Sequence, residues 1–156
     1  MRRNDVADDL KDIAFEFLYF FARFEFALKV NGYLKKSDAG QPAEASWKLF
    51  REQWEGNYQI TDAAASLIAA NPKKQIVGAG GTLDFSPVAF ADDSSTLARV
   101  TTLCQTVRNN LFHGGKSSPD GWDGPERTKM LLSLVLVILG ELAATCDLNH
   151  DYTGYY

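Results

Sequence analysis

The stretch Arg108-Asn109-Asn110-Leu111-Phe112-His113-Gly114-Gly115-Lys116 places a cation, an amide and an imidazole close together in the chain. An imidazole moves protons near neutral pH, a guanidinium stabilises the charge that builds on a phosphorane, and an amide orients either partner. That trio suits phosphodiester chemistry. The chain holds two histidines, His113 and His150, and the second lies in a segment without pattern. His113 is therefore the better placed candidate for proton transfer.

The element that must position these groups is a helix from about Thr96 to His113. Asp92-Asp93-Ser94-Ser95 offers N-cap side chains before it, and Gly114-Gly115 supplies its stop. With Val107 at zero on a helical wheel, Val100, Leu103, Cys104, Val107 and Leu111 fall between about −40° and +60°, the core face. Gln105, Asn109, Thr102, His113 and Thr106 fall between about 160° and 260°, an uncharged polar face that suits an interface or a substrate. Arg108 sits between the faces, free to swing toward Asn109 and His113 or into a salt bridge. Asn109 and His113 are i and i+4 neighbours and can act on one bound group. A histidine in a last helical turn also interacts favourably with the helix dipole, which would account for it without catalysis.

Other elements follow from periodicity. From Val6 to Val30, Leu10, Ile13, Phe17, Phe20, Phe24 and Ala27 recur at helical spacing, and Asn31-Gly32 ends the run. A second row, Phe15, Leu18, Ala22 and Phe26, widens the apolar surface, so this helix is expected to face two neighbours or a partner subunit. Pro42 to Tyr58, with Trp47, Phe50 and Trp54, reads as a second helix, and Asp62 to Ala70 as a short third. Residues 71–93, broken by Pro72, Gly78, Gly80, Gly81 and Pro87, read as extended chain and a long loop. After a polar turn from Ser117 to Gly124, Pro125 fits the first position of a last helix through Cys146. That helix is apolar almost all round and is expected to be the most buried. The end, Asn149 to Tyr156, reads as a loose tail.

The 156 residues, 46% of them apolar, suit one helical domain spanning 1–156. A net charge of −4 argues against coating nucleic acid through bulk electrostatics and leaves room for a local site. Cys104 and Cys146 lie in helical segments, which fits a reducing, cytoplasmic compartment. The acidic start lacks the features of a secretory signal, and the most apolar run, Met130 to Gly140, is about half of the roughly 20 residues a bilayer requires, so no membrane is expected. No side-chain cluster has metal-ligand spacing, so neither metal nor cofactor is expected. Gly115-Lys116-Ser117 resembles the end of a phosphate-binding loop, but Asn110 stands where that loop needs glycine.

Arg-Asn, three residues and then His at the end of a penultimate helix resembles the Arg-x4-His signature of the HEPN family. The resemblance extends to Phe21-Ala22-Arg23-Phe24-Glu25-Phe26-Ala27-Leu28, Asn71-Pro72-Lys73-Lys74-Gln75, Val107 to Lys116, and Glu126-Arg127 to Leu139. It is similar to stand-alone bacterial HEPN proteins that carry an "RNNLFHGGK" segment. What the resemblance implies is an all-α, up-and-down bundle of four or five helices that forms a homodimer, bringing two motifs into one cleft for metal-independent RNA cleavage. On that reading Arg108, Asn109 and His113 are the catalytic set, and Lys116, Lys73, Lys74 and Glu25 are candidates for contacting substrate. Glu25 has the alternative of a surface ion pair with Arg23 or Lys29. The resemblance also implies a role as a toxin or antiviral defence factor, with an antitoxin or defence-system partner. Gly115 stands where HEPN toxins neutralised by nucleotidyltransferase antitoxins carry a modifiable tyrosine, which counts against that route. The alternative is a non-catalytic HEPN dimer that binds nucleotide or RNA or serves as an assembly module.

Overall fold

Phe17, Phe21, Phe24, Ala27 and Leu28 recur every three or four residues and are all buried, the inward row of α1 (Asp8–Val30). The structure, a computed structural model, describes residues 7–113 and 124–154. Asp8 and Asp9 in the first turn complement the helix dipole. The run ends where the Asn31 N–H returns to the Ala27 carbonyl and Gly32 takes a φ of +85°, a backbone that glycine adopts without strain.

Helix α2 (Trp47–Trp54) is shorter than the 42–58 expected. Its start is set by Ser46, whose hydroxyl accepts the Leu49 N–H at 3.3 Å. Before Ser46 the chain is extended, held by a bridge between Leu34 and Ala45 and by the Ser46 N–H on the Tyr33 carbonyl at 2.8 Å. Once those backbone groups are spent on an extended pairing they are lost to a helix. Trp47 and Phe50 then close over α1, with the Trp47 and Phe24 rings stacked at 5.2 Å and Phe50 edge-on to Phe24 at 5.8 Å. Each such aromatic contributes about 1.5–3 kcal/mol through burial. Helix α3 (Asp62–Ala70) starts at the Thr61 cap and stops at Asn71, whose φ of +46° is left-handed.

Residues 71–93 are more ordered than a loop. Strands β1 (Lys74–Val77) and β2 (Leu83–Ser86) pair antiparallel, Lys74 opposite Ser86 and Val77 opposite Leu83, around a single turn at Ala79–Gly81. The expectation of an all-α chain is corrected accordingly: among the described residues the fold is six α-helices with one small hairpin. Strands of four residues carry too few alternations to stand out from extended loop.

Helix α4 (Thr96–Phe112) begins where the Ser95 hydroxyl caps the Ala98 N–H at 3.1 Å, and His113 is its C-cap. Helix α5 (Pro125–Thr145) packs mainly on α1 and α3. Thr61 meets Glu141 at 2.6 Å and Arg127 meets the Ala70 carbonyl at 2.7 Å, so α3 and α5 run in opposite directions. By length and composition α5 is apolar enough to cross a membrane, with a mean hydropathy of 1.7, more than the run Met130 to Gly140 implied. It is not buried all round: Leu131, Leu132, Val135, Ile138, Leu139 and Leu142 face inward, while Met130 and Val137 are exposed.

The expected loose tail is also corrected. Asn149–Thr153 forms α6, docked on α1 through Tyr152, which is buried between Phe20 and Phe24. The buried Arg23 fixes it, donating to the carbonyls of Asp151, Tyr152 (3.3 Å) and Gly154 (3.2 Å). Five residues cannot show a helical period, and the docking contacts come from a helix more than a hundred residues earlier. Gly114 to Asp123, which include Lys116 and the expected Gly114-Gly115 stop, lie outside the described residues, as do the first six residues and the last two.

Candidate active site at the end of α4

The last turns of α4 hold the three residues singled out by chemistry, and the fold treats them differently. Arg108 is drawn to α1. Its Nη2 donates to Glu25 Oε1 at 3.0 Å, and its guanidinium lies 5.3 Å from the centre of the Phe21 ring. Both charged side chains are 29% exposed, so the pair is neither a surface salt bridge nor a fully desolvated one. The Arg108 Nε is buried and meets no acceptor among the described residues.

Glu25 is the hub of this arrangement. The same carboxylate oxygen accepts the Trp47 indole N–H at 3.0 Å, so α1, α2 and α4 meet on one side chain. Its alternative of pairing with Arg23 or Lys29 is replaced: Arg23 is committed to α6, and Glu25 faces Arg108. A residue 83 positions away in sequence thus fixes the guanidinium.

Asn109 and His113 face outward. Both are exposed, and neither side chain hydrogen-bonds to another described residue; the His113 backbone N–H continues the helix to the Asn109 carbonyl at 2.9 Å. The wheel is right about these two and wrong about Thr106, which is buried and returns its hydroxyl to the Thr102 carbonyl at 2.9 Å. The hairpin contacts α4, and there the Asn110 amide donates to the Lys73 carbonyl at 2.8 Å. That bond sets Lys73 and Lys74, both exposed, on the far flank of α4 from Arg108. The result is an open strip carrying Asn109 and His113, with the Glu25–Arg108 pair along one edge and β1 along the other.

Two contributors escaped the sequence reading. Trp47 was legible as a helix aromatic, but its N–H contact with Glu25 has no sequence signal. Phe112 had one: it lies on the polar side of the wheel, and it is 58% exposed, an aromatic face presented to solvent beside His113.

Elsewhere, a cavity of about 210 Å³ lies between the α2–α3 connection and the end of α5, lined by Trp54, Tyr58, Thr61, Glu141 and Cys146 among others. None of the residues of the α4 strip lines it. Burial pushes the Tyr58 hydroxyl up to about 12, so it stays protonated there. Cys104 is fully buried, and burial raises its thiol well above the ordinary range, the opposite of what a nucleophile needs. Among the described residues no three His, Cys, Asp or Glu side chains converge as a metal would require.

Fold and site together define a mostly helical protein with an outward imidazole and amide beside an anchored guanidinium. No family model, curated protein or solved structure matches the chain.

Proposed function

We propose that the chain is an endoribonuclease of HEPN type that cuts RNA without a metal, in a cleft completed by a second copy. The observation that carries the reading is the open strip at the end of α4, where Asn109 and His113 have no side-chain partner among the described residues while Arg108 is held at its edge by Glu25. A helix that only caps and packs has no use for that combination. His113 takes the proton from a ribose 2′-hydroxyl, the oxygen attacks the adjacent phosphorus, and the bond to the 5′-oxygen breaks. The departing 5′-oxygen takes up a proton from water, leaving a 2′,3′-cyclic phosphate on one fragment and a 5′-hydroxyl on the other. Arg108, from the same copy or its partner, stabilises the charge on the non-bridging oxygens, and Asn109 orients the phosphate. Phe112 offers a base a stacking surface, and Lys73, Lys74 and Lys116 offer phosphate contacts. On this reading the protein works in the cytoplasm as a toxin or defence factor.

A non-catalytic HEPN dimer that binds nucleotide or RNA is favoured by one observation: the Arg108 guanidinium is engaged by Glu25 and Phe21 rather than turned onto the strip. Cleavage of labelled RNA by the parent protein, which a non-catalytic dimer lacks, separates the two, and complementation then tests whether the cleft draws on both copies. Arg108→Ala and His113→Ala copies, each inactive alone, are co-expressed and assayed together on labelled RNA. Partial recovery of cleavage shows that Arg108 and His113 act across the two copies, and a mixture as inactive as its parts shows that they do not.

A further inference from the structure

The cavity between the α2–α3 connection and the end of α5 is lined mostly by carbon. Trp54 and Tyr58, both half-buried, contribute aromatic surface, and the buried Ile138 and Leu142 of α5 contribute aliphatic surface. The Trp54 indole N–H is already spent on the Tyr33 hydroxyl at 2.8 Å, so the ring is held and offers the cavity its carbon.

Into this lining the fold sets one charge. Glu141 is the only charged side chain among the described residues that line the cavity, and it is half-buried. Its Oε2 accepts the Thr61 hydroxyl at 2.6 Å. Its Oε1 has no hydrogen-bond partner, and the carboxylate has no ion pair, among the described residues. The place of Glu141 on α5 sharpens the imbalance. It stands near the C-terminal end of the helix, where the dipole is negative and disfavours a carboxylate, and no basic residue stands in the last turn. The start of α3, reached through Thr61, is positive, but Asp62 in its first turn already meets that charge. A carboxylate set partly out of water among apolar groups is ordinarily paired.

We infer that the cation comes from a ligand: the cavity binds a small organic ammonium ion, with its N–H groups on Glu141 Oε1 and its apolar body against Trp54, Tyr58, Ile138 and Leu142. Size narrows the class. A volume of about 210 Å³ exceeds the roughly 150 Å³ that holds benzene and falls short of the roughly 300 Å³ at which drug-sized sites begin. A single ring or a short chain fits, and a nucleotide does not. Charge narrows it further, since the carboxylate repels anions and attracts a cation over a neutral molecule of the same shape. The aromatic rings add to this, because a ring quadrupole draws a cation to its face. The inference stands apart from the ribonuclease reading, as no residue of the α4 strip lines the cavity.

The test uses the full chain with benzylammonium as the probe and benzyl alcohol as its uncharged counterpart of nearly the same shape. Isothermal titration calorimetry at neutral pH is expected to show saturable binding of benzylammonium at millimolar concentration. Benzyl alcohol is expected to bind roughly ten- to a hundredfold more weakly, the worth of a hydrogen bond to a charged group. Glu141→Gln keeps an oxygen for the Thr61 hydroxyl and is expected to bring benzylammonium down to the level of the alcohol, with a cooperative melt showing that the variant is folded. Amide chemical-shift changes on adding benzylammonium to the parent protein are expected to centre on Trp54 to Thr61 and Ile138 to Cys146. Absence of saturable binding by the parent protein overturns the inference. So do equal affinities for the ammonium and the alcohol, binding undiminished in folded Glu141→Gln, or shifts centred elsewhere. Should Glu141→Gln fail to fold, the comparison of ammonium with alcohol and the position of the shifts, both read on the parent protein, decide.

Discussion

At the scale of single residues, the site is a guanidinium held in place and an imidazole without a side-chain partner among the described residues. Glu25 is the residue on which this depends, because it bonds Arg108 and Trp47 through one oxygen. Glu25→Gln keeps a group that can accept the indole N–H but removes the charge that anchors Arg108. The expected outcome is a fall in kcat with KM little changed, and a loss of stability of about 1.5–3 kcal/mol, the usual worth of a hydrogen bond to a charged group. Steady-state kinetics and urea denaturation of the variant check both; an unchanged kcat would show that Arg108 does not need its anchor. Phe112 makes the complementary case. If it stacks a base, Phe112→Ala weakens RNA binding by about 1–3 kcal/mol while leaving stability alone, since the ring is exposed in the free protein. Fluorescence anisotropy with a short labelled RNA measures it.

At the scale of elements, what was legible in the sequence was what repeats or caps. The starts of α4 and α5 were readable from Ser95-Thr96 and Pro125, because caps and proline act within a few residues. The outward aim of Asn109 and His113 was legible for the same reason, as helical period is local. The hairpin, the shortened α2 and α6 were not, since each is held by groups distant in sequence. The pairing of Glu25 with Arg108 belongs with them. Helix α6 is the sharpest instance: with Tyr152 nearly fully buried against α1, Tyr152→Ala is expected to cost about 3–5 kcal/mol, as for other large aromatics removed from a core. A thermal melt that moves by only a degree or two would mean that α6 is not docked.

At the scale of the whole molecule, the core and the site are separate. The aromatic cluster of α1, α2 and α6 and the apolar side of α5 carry stability, and neither buried thiol faces the α4 strip. Burial holds Cys104 above its ordinary titration range, and also raises Cys146, so thiolate is scarce at pH 8. Both cysteines are expected to resist iodoacetamide in the native protein and to react once it is unfolded, as read by intact mass. Rapid native alkylation would place the thiols at the surface.

A net charge of −4 argues against coating nucleic acid over the whole surface, so on the proposed reading RNA would meet the protein at the local α4 strip. The most direct measurement of the central claim is cleavage of end-labelled RNA by the purified protein with excess chelator, with product ends identified by mass. The account predicts 2′,3′-cyclic phosphate and 5′-hydroxyl ends, and a loss of rate of about 10²–10⁴ in His113→Ala. No cleavage by the parent protein, or cleavage undiminished in His113→Ala, would contradict it.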